Sequence, residues 1–159
     1  METRVRWYTD EAAVKAIMGM GEYAEHCGLE RSLLDLVLIR ASQINGCAYC
    51  LDMHSKDARA SGETEQRIYV LNAWSETSYF TDRERAALAW TEAVTLVAEG
   101  HVPDAVYEQV RPHFSEAELI GLTMTIATIN SWNRLNVSFR VPAGNYKSTR
   151  QPAAVAEAS

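Results

Sequence analysis

Residues 31–60, RSLLDLVLIRASQINGCAYCLDMHSKDARA, decide the fold of this chain. Arg31–Ile44 carries Leu33, Leu34, Leu36, Val37, Leu38, Ile39, Ala41 and Ile44, which is apolar on most sides of a helical period. A helix of that kind has no face to give to water and belongs at the centre of a fold. Asn45-Gly46 breaks it, and a new helix starts near Cys47 and runs to about Ala60, where Ser61-Gly62 stops the chain again.

The flanks read the same way. Asp10 can cap a first helix through about His26, and Cys27-Gly28 supplies the stop. Glu63–Trp74 is a shorter helix with Ile68, Val70 and Leu71 to bury. Thr81-Asp82-Arg83-Glu84 has capping-box spacing and opens a helix through about Glu99. Pro103 suits the first turn of a short helix through Val110. Ser115-Glu116-Ala117-Glu118 is a second capping box, opening a long apolar helix to about Ser138. No segment alternates with period two between turn signals, so no sheet is expected. The reading is an all-α single domain over residues 1–159 with about seven helices. Its CxxC stands at the start of a central helix, and a loose tail runs from about 142 to 159.

Composition narrows the function. The 159 residues are 47% apolar and 23% charged, which suits one soluble domain. A net charge of −6, from 21 acidic and 15 basic residues, argues against a nucleic-acid partner. METRVRWYTDEAAV has no apolar leader core. The longest apolar run, Leu33–Ile44, is interrupted by Asp35, Arg40, Ser42 and Gln43 and is too short to span a membrane. A cytoplasmic location is therefore expected. In that reducing compartment Cys27, Cys47 and Cys50 are no structural disulfide framework, and a close pair is catalytic, redox-sensing or metal-binding.

At 100° per residue Cys47, Cys50 and His54 fall within an arc of roughly 60° on one helix face. Cys47 sits at the first turn, where free N–H groups favour thiolate over thiol. His54, one turn after Cys50, is placed to take or hold its proton. A CxxC at a helix start can also close a disulfide without unfolding the chain, so the set describes a reversible dithiol with its own base. Zinc would need a fourth ligand, and His26, His101 and His113 have no recognisable site spacing. Haem attachment needs histidine where Leu51 stands, and a thioredoxin fold needs strands where the flanks are helical. A buried, inert pair is the remaining alternative; Asn45-Gly46 and Asp52 argue for partial exposure instead. Cys27 reads as structural. Tyr49 either lines the entrance or packs. Asn130, Trp132, Asn133, Arg134 and Asn136 form a polar run in an apolar helix, expected at a subunit interface or near the site.

QINGCAYCLDMHSKDA (43–58) resembles the core motif of the alkylhydroperoxidase D / carboxymuconolactone decarboxylase family, in its cysteine-bearing, peroxidase-like branch. The resemblance runs from about Arg31 to Arg140 and takes in LDLVLIR, TDRERAALAW and INSWNRLNVSFRVPAG. It implies an all-helical homo-oligomer, a trimer or a hexamer, and a peroxidase cycle on hydrogen peroxide or organic hydroperoxides. Cys50 then resembles the peroxidatic cysteine, Cys47 the partner that condenses with it to a disulfide, and His54 the relay histidine. Asp35 stands twelve residues before Cys47, where the family pattern has a glutamate; it keeps the carboxylate on a shorter stem, and the other reading is an Arg31–Asp35 surface pair. No cofactor and no metal are implied, so electrons come from an external thiol or disulfide reductant. A disulfide carrier or redox sensor is the alternative from another class. Lactone decarboxylation has no use for an adjacent dithiol.

Overall fold

Capping residues set the boundaries in the computed structural model, which describes residues 2–151. Asp10 accepts from the Ala12 and Ala13 N–H groups and opens α1, Glu11–Glu25. α2 spans Arg31–Asn45 and stops at Gly46, whose φ of 64° lies in the left-handed region that glycine enters without strain. α3 spans Ala48–Ala60 with Cys47 as its N-cap. α4, Glu65–Val70, continues into a 3-10 stretch, Leu71–Glu76. Thr81 and Ser115 both close their capping boxes, opening α5 (Asp82–Thr95) and the long α8 (Glu116–Phe139). Between them lie α6 (Val97–Gly100) and α7 (Asp104–Val110). Among the described residues there are eight α-helices and no strand.

The extra helix has a local cause. The expected helix from Thr81 to Glu99 breaks at Leu96, in a run of β-branched residues (Val94, Thr95, Val97) with weak helix propensity. Thr95 is also held by Asn130 Nδ2 at 3.1 Å, which keeps it in register as the last residue of α5. Likewise the helix expected over Glu63–Trp74 holds only from Glu65 to Val70, and Ala73 departs from helical angles (φ −119°, ψ 30°).

α2 is central, as its all-round apolar character requires, and packs against α3, α5 and α8. One side of it, Leu33, Leu34 and Val37, meets Trp90 of α5 and Leu122 and Ile126 of α8. The other, Leu36 and Ile39, meets Leu71, Trp74 and Leu88. Its C-terminal end meets the CxxC: Ala41, Cys47, Cys50 and Ile129 form a third cluster. No helix among the described residues is long and apolar enough to cross a membrane.

The segment after Pro142 differs from the loose tail expected. Through Gln151 it lies across α3: the Gly144 N–H donates to Asp52 Oδ2 at 3.1 Å, and Lys56 Nζ donates to the Tyr146 carbonyl at 3.0 Å. Small and polar composition concealed the acceptors and donors that α3 presents to it. Residues 152–159 of the expected tail lie outside the described residues.

Cys27 is packed, as its structural reading requires, against Gly121 of α8. A Cβ at position 121 would sit 2.8 Å from Cys27 Cβ and 3.4 Å from the Cys27 carbonyl oxygen. Gly121→Ala is therefore expected to lower the urea midpoint, because overpacking of about 1–3 kcal/mol outweighs the roughly 1 kcal/mol of helix propensity gained. Adding Cys27→Gly should restore stability and Cys27→Ser should not, since the clash is with the β-carbon.

Candidate active site

The Gly46 turn delivers Cys47 to the head of α3, where its backbone N–H donates to the Ser42 carbonyl at 3.0 Å. The Cys47 sulfur accepts from the Cys50 backbone N–H at 3.3 Å, as an N-cap side chain does. Cys47 and Cys50 are joined in a disulfide, with Cα atoms 5.3 Å apart. Both residues are only 1% exposed, where the sequence led us to expect partial exposure. The apolar wall of α2 and α8 accounts for the difference, since Ala41 and Ile129 close over the sulfurs. Cys50 is instead reached through a cavity of about 830 Å³ that also touches His54, Tyr49, Met53, Leu38 and Trp132. Tyr49 both packs on the sulfur cluster and lines this cavity.

His54 follows one turn after Cys50 and is 8% exposed, with a buried Nδ1 that has no hydrogen-bond partner. Burial pushes its pKa down to about 4, against the upward pull of the Asp57 carboxylate. The imidazole is therefore neutral at neutral pH and free to accept a proton.

Asp35 is 2% exposed, and its carboxylate is fully engaged. Arg31 Nε donates to it at 3.2 Å and Arg150 Nη1 donates to both its oxygens at 2.8 and 3.1 Å. Burial pushes the Asp35 pKa up to about 6, with Arg31 pulling the other way. So the Arg31–Asp35 pair exists, but with Asp35 buried and only Arg31 reaching the surface. No hydrogen bond joins Asp35 to His54. The carboxylate whose field acts on His54 is Asp57, which was not singled out from the sequence. Its signal was there: Asp57 lies seven residues after Cys50 and so on the same face of α3. Asp57 Oδ1 accepts from the Tyr146 hydroxyl at 2.8 Å, and Arg150 Nη2 lies 3.3 Å from Asp57 Oδ2. Burial and that bond to Asp57 hold the Tyr146 phenol up at about 12. Arg150 thus bridges Asp35 and Asp57, and both Tyr146 and Arg150 come from the C-terminal segment.

The polar run of α8 turns inward to the head of α3. Asn45 Nδ2 lies 2.9 Å from Asn130 Oδ1 and from Asn133 Oδ1, and Asn133 Nδ2 donates to Ser42 Oγ at 3.1 Å. Asn136 reaches the Cys50 sulfur. Arg134 alone of the run is exposed. Among the described residues, no group of three or more His, Cys, Asp or Glu side chains converges as metal ligands would.

The profile of the carboxymuconolactone decarboxylase family matches residues 11–93, which include the CxxC, His54, Asp35 and Asp57. The chain belongs to that family. It is 43% identical to the uncharacterized protein YdfG of Bacillus subtilis (strain 168) over 139 residues, covering 87% of this chain and 95% of that one. A crystal structure from Agrobacterium tumefaciens is superposable with a TM-score of 0.87 at 41% identity, over 91% of this chain and all of that one. It is a protein of unknown function named as a candidate antioxidant-defence protein AhpD. The alkylhydroperoxidase AhpD core of a peroxidase-related protein from Ralstonia eutropha JMP134 shares the fold at 17% identity, with a TM-score of 0.76 over 87% and 74% of the two chains. So does the debrominase Bmp8, at 18% identity and a TM-score of 0.75 over 86% and 74%. The fold is thus AhpD-like, as the motif implied. Asn136, Tyr146 and Arg150 lie beyond the stretch that the family profile covers.

The low pKa of His54 has a stability signature. In the unfolded chain the imidazole takes a proton near its ordinary 6.5, in the folded chain only near 4, so folding loses support as pH falls through that window. Asp35 acts in the opposite sense, because the folded state protonates first, near 6. Comparing the parent with His54→Gln cancels Asp35. The stability of the parent relative to that variant should fall by up to about 3 kcal/mol between neutral pH and pH 4, read by urea unfolding across pH.

Proposed function

We propose that this chain is a thiol peroxidase that reduces hydrogen peroxide or organic hydroperoxides through a reversible Cys47–Cys50 disulfide, in an antioxidant role. The observation that carries the reading is the disulfide itself, with one sulfur, that of Cys50, reached through a cavity that His54 also lines. The name of the Agrobacterium tumefaciens relative supports it.

In the reduced protein Cys50 gives its proton to neutral His54, and the Asp57 carboxylate favours the imidazolium that forms. The Cys50 thiolate attacks the distal oxygen of the hydroperoxide. The O–O bond breaks, two electrons pass from sulfur to oxygen, and Cys50 becomes a sulfenic acid. His54 returns its proton to the departing alkoxide, giving an alcohol or water. The Cys47 thiol then attacks the Cys50 sulfur, closing the disulfide and releasing water that carries off the Cys47 proton. An external dithiol reduces the bridge by thiol–disulfide exchange and is itself oxidised. The protein requires no bound cofactor for this cycle. Asp35, in the place of the family glutamate, acts indirectly: it holds Arg150, which holds Asp57 next to His54.

The same bridge would serve a disulfide carrier. Burial of both sulfurs favours a small substrate entering by the cavity over the docking of another protein's disulfide. Stopped-flow mixing of reduced protein with peroxide separates the two. A peroxidase forms sulfenate stoichiometrically and fast, and a carrier does not. Cys50→Ser should abolish peroxide consumption. Cys47→Ser should allow one attack and leave a sulfenic acid on Cys50 that a dimedone probe traps. Labelling of Cys47 in the Cys50→Ser protein would reverse the two roles.

The protein is also proposed to be a homo-oligomer, a trimer or a hexamer. Exposed apolar side chains on α1 (Met18, Tyr23) and on α8 (Ile120, Val137) support this. Light scattering at micromolar concentration should give the mass of three or six chains, and a monomer would refute the assembly.

A further inference from the structure

The two sulfurs of the CxxC take their hydrogen bonds from different parts of the molecule. The head of α3 serves Cys47, through the Cys50 backbone N–H at 3.3 Å. Cys50 lies a turn further in, where the influence of the helix start has decayed. Its donor comes from α8: Asn136 Nδ2 stands 3.4 Å from the Cys50 sulfur, and both residues are buried.

An amide side chain can present either its oxygen or its NH₂, and a third residue decides which. Trp7 Nε1–H donates to Asn136 Oδ1 at 3.2 Å. An indole nitrogen only donates, so the amide oxygen must face Trp7 and the NH₂ must face the sulfur. Trp7 is itself held. It is the buried residue of a 3-10 turn, Trp7–Thr9, and its ring meets Trp132 edge-on with centroids 5.3 Å apart. The N-terminal turn therefore aims the Asn136 donor at Cys50. Neither residue lies within the part of the chain that the family profile matches.

We propose that Asn136 is a catalytic residue that donates a hydrogen bond to the Cys50 thiolate, and that Trp7 is the positioning residue that orients its amide. An N–H bond to an anionic sulfur is stronger than the same bond to a thiol or a disulfide, so the donor shifts the equilibrium toward thiolate. That support matters because buried His54 is neutral until it takes the Cys50 proton and so offers the sulfur no standing positive charge. What the thiolate then attacks rests on the peroxidase reading, but its formation does not.

Other charges face the same cavity and must stay constant in a test. From α3 they are His54 and Asp57, with Tyr49; from α2, Arg31; from the C-terminal segment, Tyr146 and Arg150. From α1 they are Lys15, Glu22 and Glu25. None is altered in the two variants that isolate the donor, Asn136→Leu and Trp7→Phe. The second keeps an aromatic ring against Trp132 and removes only the indole N–H.

The experiment is the pH dependence of iodoacetamide alkylation of the fully reduced full-length protein, with each cysteine followed by peptide mass spectrometry. In Asn136→Leu the midpoint for Cys50 should rise by about one pH unit, the loss of one charge-assisted hydrogen bond. In Trp7→Phe it should rise by less, in the same direction. The midpoint for Cys47 should stay put in both. If the Cys50 midpoint is unmoved in a folded Asn136→Leu protein, the proposal is overturned. It is equally overturned if Cys47 and Cys50 move together, because that marks general loosening of the site. Should Asn136→Leu fail to fold, the Trp7→Phe profile decides alone, and an unmoved Cys50 midpoint there rejects the proposal. A parent that consumes no peroxide, yet whose Cys50 midpoint responds as stated, removes the peroxidase reading and leaves this assignment standing.

Discussion

The amide of Asn45, at the half-buried C-terminal end of α2, is the contact on which the site's geometry depends. α2 is enclosed by α3, α5 and α8, so the polar groups at its end cannot all turn to water and must find partners inside. Asn45 bonds to the Ala41 carbonyl and meets Asn130 and Asn133 of α8, each at 2.9 Å, while Asn133 reaches back to Ser42. This ladder ties the last turn of α2 to the middle of α8 just where Gly46 reverses the chain. Cys47 emerges from that clamped turn, and Asn136, further along α8, comes level with Cys50 for the same reason. A directional polar network of this kind specifies one arrangement, whereas a greasy contact at this place would tolerate several.

A second cluster lies further along the same face of α3 and is governed by charge. Asp35 and Asp57 are both buried, and two carboxylates out of water need counter-charge close at hand. Arg150 supplies it to both, Arg31 to Asp35, and the Tyr146 hydroxyl adds a donor to Asp57. These bonds, together with those from Gly144 and Lys56, tie the segment after Pro142 to α2 and α3. The C-terminal segment is thus part of the wall of the site. The same arrangement leaves His54 with an anionic neighbour in Asp57 and an unpartnered Nδ1.

These two clusters assign different environments to the two sulfurs of one motif. Cys47 belongs to the backbone at a helix head, Cys50 to side chains from distant parts of the chain. Access follows the same division, since the cavity touches Cys50 and not Cys47. Of the two sulfurs, the one the cavity reaches is thus the one whose surroundings are built by tertiary structure.

The helical class, both capping boxes, the central place of α2 and the shared face of Cys50 and His54 were all legible in the sequence. Each rests on spacing within a single helix or on a cap a few residues long, and the chain itself carries that information. The break at Leu96 was not legible, because a modest propensity loss was decided by the hold of Asn130 on Thr95. Nor were the burial of both sulfurs, the pinning of the C-terminal segment, or the partnership of Asp35 with Arg150, 115 residues away. Asp57 stood in plain view on the α3 stripe, but only the closing of α2 and the C-terminal segment around it makes it the carboxylate that acts on His54. Sequence sets what one helix presents on each face. Which distant donor, counter-charge or apolar wall meets that face depends on how helices pack, and no local period encodes it.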